Sequence, residues 1–220
     1  MTYTNSDLVT YKNISKHKTV NRTHNIDTIT IHCFVGQVTA KQGCDFFAST
    51  HKECSANYVI GFDGSIGLSV EEKDRSWCSS NRENDMRAIT IEVASETSEP
   101  YSVTEQAYNA LIKLLIDVCK RNNIKRLLWR NDKSLIGQVD KQNMTVHRWF
   151  AKKSCPGTYL FSNMGEIADA VNAELNKETN KNNRTIYRVQ VGAFSVYENA
   201  VRLRDEMKKN GYDCFIVEVK

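Results

Sequence analysis

The sequence predicts an α/β fold: a mixed central β-sheet flanked by helices, with a small βαβ unit after it. Three observations predict it. Short β-rich runs with period-2 alternation recur through the first two thirds of the chain. Helical apolar patterns interleave with them, as α/β architectures require. A polar stretch free of large apolar residues, 176–185, then sets off a last segment that reads strand, helix, strand. The predicted organisation is therefore a main domain over 1–175, a linker over 176–185 and a small module over 186–220.

In chain order, the first strand is DTITIHC at 27–33, and a short helix follows near 39–49. Strands at 57–61 and 66–70 flank the turn Phe62-Asp63-Gly64-Ser65, where Asp-Gly supplies the turn chemistry. AITIEVA at 88–94 is the next strand. Residues 103–121 carry Leu111, Leu115 and Val118 on one helical face, and Ser102 with Glu105 fits a capping box. LLW at 127–129 and MTVHRW at 144–149 read as strands. A last helix runs from about Asn163 to Leu175, after the breaker Pro156-Gly157. In the tail, Tyr187, Val189 and Val191 alternate with Arg188 and Gln190. Ala200, Leu203 and Met207 then give a helical face that ends at Asn210-Gly211, and DCFIVEV is a second strand.

The bulk properties exclude several classes. The 220 residues are 40% hydrophobic and 25% charged, as in a globular chain rather than a disordered one. No run approaches the roughly 18 apolar residues of a membrane helix, and the polar start MTYTNSDLVTYKNISKHK has no signal-peptide core. The seven cysteines are odd in number and irregularly spaced, which points to a reducing compartment rather than a disulfide framework. The net charge of +4 is concentrated after Lys177 and suits an anionic polymer. No basic patch with interleaved aromatics marks a nucleic-acid binder.

Three strands share one pattern. On 27–33, Thr30 and His32 lie on one face, opposite Ile29, Ile31 and Cys33. On 88–94, Thr90 and Glu92 oppose Ile89, Ile91 and Val93. On 144–149, Thr145 and His147 oppose Met144 and Val146. Taken singly, each polar residue has an ordinary alternative: a hydrogen-bonded structural histidine, a solvated carboxylate, a small buried cysteine. Together they read as a site. Cys155 follows His147 by eight residues in the polar loop KKSCPG. Two neutral imidazoles and a thiolate suit zinc, and three protein ligands leave a fourth position open.

His32, the Glu of TIEVA, and His147-x₇-Cys155-Pro156-Gly157 with Lys153 two before the cysteine resemble the type-2 N-acetylmuramoyl-L-alanine amidases. That family includes phage enzymes and the peptidoglycan recognition proteins. NYVIGFDG and EEKDRSW add to the resemblance, which spans about 27–172. It implies that His32, His147 and Cys155 bind Zn2+ and that Glu92 moves the proton between water and the leaving amine. It implies that Lys153 stabilises the oxyanion. The chain departs from the family pattern at Cys78, where many members have His, and at Ala56 and Asn57, where some have Tyr or His. Asn57 and Trp129 are the candidate substrate contacts; the other reading of Trp129 is core packing. The tail resembles half of a SPOR module, which implies binding to peptidoglycan glycans; Gln190, on the face away from Val189 and Val191, is the candidate contact, and the unpaired strand edges of so short a βαβ unit point to pairing of two tails into a homodimer. The alternative is a tail docked on the main domain. The expected protein is an endolysin or autolysin made in the cytoplasm and acting on the cell wall after release. Competing readings are a non-catalytic recognition protein on the same fold, and a structural adaptor whose His and Cys are incidental.

Overall fold

The computed structural model describes residues 3–182 and 189–218. The chain forms two units, 1–181 and 182–220. In the first, β1 (Tyr11–Lys12), β2 (Lys18–Thr19) and β3 (Thr28–Cys33) precede α1 (Ala40–Ser49). Then come β4 (Tyr58–Ile60), β5 (Ile66–Leu68), β6 (Arg75–Ser76), α2 (Arg82–Arg87), β7 (Ala88–Val93), α3 (Glu105–Arg121), β8 (Met144–Val146) and α4 (Gly157–Asn182). The main sheet has the order β1-β5-β4-β7-β3-β8, and β2 pairs with β6 in a separate ribbon. Only β4 and β5 are antiparallel in the main sheet. They meet at the expected Asp63-Gly64 turn, with Gly64 at φ +80° and Asp63 Oδ1 accepting from the Ser65 N–H at 3.0 Å. The mixed α/β architecture with flanking helices is the one the sequence predicts.

The alternation of the strands sorts the layers. Ile29 and Ile31 of β3, Ile89 and Ile91 of β7, and Met144 and Val146 of β8 are fully buried. They share one core with Leu111, Leu114, Leu115 and Val118 of α3 and Leu160, Met164, Ile167 and Val171 of α4. Each such side chain contributes roughly 1.5–3 kcal/mol of transfer free energy. Val59 of β4 points the other way, onto Cys44 and Phe47 of α1. A Cβ at Gly43 would lie 2.5 Å from Val59 Cγ1, so glycine is what allows this helix to approach.

Several elements differ from the sequence expectation. The segment 127–129 is not a strand. Asn172 of α4 accepts from the Leu127 N–H and donates to its carbonyl, both at 2.8 Å, and Asn143 Oδ1 accepts from the Leu128 N–H at 2.8 Å. These side-chain amides, with one backbone bond from the Asn143 N–H to the Leu128 carbonyl at 3.2 Å, take the place of a strand ladder. The cap of α3 is Thr104, whose Oγ1 accepts from the Ala107 N–H at 3.1 Å, and not Ser102. The final helix starts at Gly157, well before Asn163, and runs to Asn182. Residues 176–182 of the expected linker are therefore helical, and 183–185 lie outside the described residues.

The second unit contains α5 (Tyr197–Lys209), closed by Asn210 and by Gly211 at φ +84°. Phe194 and Leu203 close over Gly192, where a Cβ would lie 2.7 and 3.0 Å from them. Among the described residues, the strands expected on either side of this helix do not form over 189–195 or 212–218, where no strand pairing is made. Tyr187 and Arg188 of the first one lie outside the described residues.

Candidate metal centre

The site is built on the polar face of β3, β7 and β8. Parallel pairing sets Thr30 beside Thr90 and His32 beside Glu92, and on the other side Thr30 beside Thr145. Threonine suits both demands here: its branched Cβ fits a strand and its hydroxyl serves a polar interior. Thr30 Oγ1 and Thr145 Oγ1 are 2.8 Å apart, and Ser76 Oγ and Thr90 Oγ1 are 2.7 Å apart. Asn84 of α2 joins the first pair, donating to Thr30 Oγ1 at 3.0 Å and accepting from Thr145 Oγ1 at 2.9 Å. The site thus rests on a buried layer of satisfied hydroxyls.

Above that layer, His32 is fully buried. Its Nδ1 lies 3.3 Å from Cys155 Sγ and 3.9 Å from Glu92 Oε1, and its ring centroid is 5.1 Å from that of His147. One ligand atom from each of His32, His147 and Cys155 lies within 4.8 Å of the other two. His147 is not on the strand as expected: β8 ends at Val146, and His147 opens a 3-10 turn through Trp149. The Phe150 N–H donates to the His147 carbonyl at 2.9 Å, and the Arg148 N–H to the Cys155 carbonyl at 3.1 Å. That second bond folds the loop back and returns Cys155 to the strand ends.

Burial and the neighbouring His147 hold His32 well below the usual histidine range; burial and the charge of Lys153 lower His147. Both rings are therefore neutral, the form that binds metal. Cys33 lies with the apolar face of its strand in the core, and Cys155 packs against that core; the neighbouring Cys33 thiol and burial push the Cys155 thiol up. Desolvation pushes the Glu92 carboxyl well up, and its Oε2 has no hydrogen-bond partner. His32 Nε2 is likewise buried and has no hydrogen-bond partner among the described residues. Zinc bonds of about 2.1 Å to nitrogen and about 2.3 Å to sulfur at a tetrahedral angle separate the donors by about 3.6 Å. The 3.3 Å spacing of His32 Nδ1 and Cys155 Sγ is close to that value. Donor chemistry and spacing both fit zinc. Lys153 is exposed on the same loop, and its ammonium has no hydrogen-bonded or ionic partner among the described residues.

Three residues absent from the sequence reading shape the site. Asp85 accepts from the N–H groups of Cys78 at 2.9 Å and Ser79 at 3.1 Å, which fixes the 78–80 loop against the sheet. Ser80, at φ +61°, sets its Oγ 3.1 Å from His147 Nε2, and Asn84 supports the strands from below. All three sit in a Ser/Asn-rich loop and a one-and-a-half-turn helix, where no periodicity singles them out.

The expected substrate contacts fare differently. Asn57 is buried: its amide donates to the Val70 carbonyl at 3.2 Å and accepts from Arg22 at 3.2 Å and from the Thr90 N–H at 3.2 Å. With both ends engaged inside the protein it has nothing to offer a substrate, and its role is structural. Trp129 stacks on Trp149 at 5.0 Å and meets the edge of Phe161, so packing occupies one face of its ring. Gln190 lies in the second unit, exposed, with its amide 3.4 Å from the Gly192 carbonyl.

A family model described as N-acetylmuramoyl-L-alanine amidase matches residues 22–158, and a SPOR domain model matches 164–218, starting inside α4. Among solved structures, AmpD has a TM-score of 0.57 at 18% identity, covering 76% of this chain and 99% of its own. PlyL gives 0.53 at 13%, covering 73% and 95%. A mutant endolysin from Bacillus subtilis gives 0.52 at 14%, covering 74% and 99%. At these identities the likeness is one of fold. No curated protein matches the chain.

The hydroxyl layer makes a measurable claim. Asn84→Ala leaves Thr30 and Thr145 short of partners in a buried setting and is expected to cost about 1–3 kcal/mol of stability. Urea denaturation checks this; an unchanged midpoint and slope would show that the layer does not depend on Asn84.

Proposed function

Since the chain belongs to the N-acetylmuramoyl-L-alanine amidase family, we propose that it is a zinc-dependent hydrolase. Its substrate is then the amide between the lactyl group of N-acetylmuramic acid and L-alanine in bacterial peptidoglycan. The observation that carries the reading is the meeting of His32, His147 and Cys155 donor atoms within 4.8 Å beside Glu92. These three residues would hold the metal. Bound there, zinc supplies Lewis-acid polarisation of the scissile carbonyl and a lowered pKa for water. Glu92, whose Oε1 lies 3.9 Å from the metal-binding ring of His32, takes the proton of the attacking water and delivers it to the alanine nitrogen as the amide breaks. Lys153 brings an unpaired ammonium to the developing oxyanion. The presence of Cys155, Glu92 and Lys153 together favours catalysis over recognition alone.

The second unit, with its SPOR match, is read as the wall-holding part, and Gln190 as a glycan contact. The whole then acts as an endolysin or autolysin, made in the cytoplasm and reaching the wall at lysis or by export. Val189 and Phe215, 87% and 74% exposed on either side of α5, favour covering by a second copy of the tail.

Glu92→Gln is expected to keep stoichiometric zinc and the native fold while turnover falls by about 10²–10⁴. Metal analysis beside a turbidity assay on purified walls checks this, and near wild-type turnover would remove Glu92 from the mechanism. Light scattering tests the tail. The full chain is expected to be a dimer at micromolar concentration and a chain ending at Asn182 a monomer; equal monomeric masses would contradict the pairing.

A further inference from the structure

His32 belongs to a second group of donors. A ring nitrogen of His32, the Cys78 sulfur and a Glu92 carboxylate oxygen all lie within 4.8 Å of one another. Cys78 Sγ is 3.8 Å from Glu92 Oε1, and the same oxygen is 3.9 Å from His32 Nδ1. The three are held by independent parts of the fold. His32 and Glu92 are register partners on β3 and β7, and the Cys78 backbone is pinned by Asp85 at 2.9 Å. Glu92 Oε2 is buried without a hydrogen-bond partner among the described residues. A buried carboxylate oxygen of this kind is costly unless a proton or a cation satisfies it.

We propose that His32, Cys78 and Glu92 form a second seat for a divalent cation, exclusive of the first because both need His32. His32 Nδ1 is common to both, 3.3 Å from Cys155 Sγ and 3.9 Å from Glu92 Oε1. One nitrogen, one sulfur and one oxygen donor select borderline or soft ions such as Zn2+, Co2+ and Cd2+ over Mg2+ or Ca2+. On binding, the Cys78 thiol gives its proton to solvent and the thiolate joins the metal. The seat itself stands on geometry alone; its consequence rests on the reading of Glu92 as the base. A cation in the second seat ties up that carboxylate, so only the first seat is productive, and Cys78 governs how much metal is misplaced.

The test reads metal coordination rather than turnover. Metal-free full-length Cys155→Ala, with Cys155→Ser as an isosteric companion, is titrated with Co2+. The thiolate-to-cobalt charge-transfer band in the near ultraviolet is followed, and folding is verified by circular dichroism. Either folded variant is expected to bind one equivalent with a thiolate band, and adding Cys78→Ala is expected to abolish that band. A folded Cys155 variant without a thiolate band overturns the proposal, as does a band that survives the loss of both Cys155 and Cys78. A wild-type protein without amidase activity would sink the proposed function and leave the cobalt result standing.

Discussion

Six consecutive residue pairs join β3 to β7 in parallel, from Thr28 with Ala88 to Cys33 with Val93. Because side chains alternate, this one register decides both halves of the molecule. It buries Ile29, Ile31, Ile89 and Ile91 against α3 and α4, and it sets His32 beside Glu92 on the opposite face. A slip of one residue would expose the isoleucines and send the carboxylate away from the imidazole. The hydrophobic driving force and the site geometry are therefore enforced together. Pairing of β8 with β3 in matching register extends the arrangement, so that His147 leaves the strand end close to His32.

The polar face is stabilised differently. Thr30, Thr90, Thr145, Ser76 and Asn84 are buried, and their mutual hydrogen bonds offset the desolvation that burial imposes. On this floor stand groups that are not all satisfied, Glu92 Oε2 among them. A rigid, satisfied support beneath under-satisfied donors is what a metal centre needs, since the donors are held in place before the cation arrives. The same contrast explains why Cys78 matters: its backbone is fixed by Asp85 while its thiol faces the carboxylate.

Much of this was legible in the sequence where a pattern repeats. Period-2 alternation marked β3 and β7 and sorted Thr30, His32, Thr90 and Glu92 onto one face. It put His147 on the strand with Thr145, whereas β8 stops at Val146 and His147 opens the 3-10 turn that follows. What was not legible depends on partners far apart in the chain. The segment 127–129 is β-rich but is satisfied by the Asn143 and Asn172 side chains. β1, β2 and β6 have two residues each, too short to show alternation. Polarity suggested a linker at 176–185, yet α4 continues to Asn182, with Lys177 and Glu174 paired at 2.5 Å one turn apart where it leaves the core. Asn57 could not be placed because a buried, saturated amide and a substrate contact look alike in sequence. Cys78 was visible as a departure from the family pattern, but its approach to Glu92 comes from a loop that carries no periodic signal.

The central claim is that these residues act on one particular bond. Its most direct test is digestion of purified peptidoglycan with the zinc-loaded protein, followed by quantification of new termini. The account predicts free α-amino groups on L-alanine, matched by lactyl carboxyl groups on the glycan, with no increase in reducing sugar ends. New reducing ends, or cleavage within the stem peptide without liberated alanine amines, would contradict it.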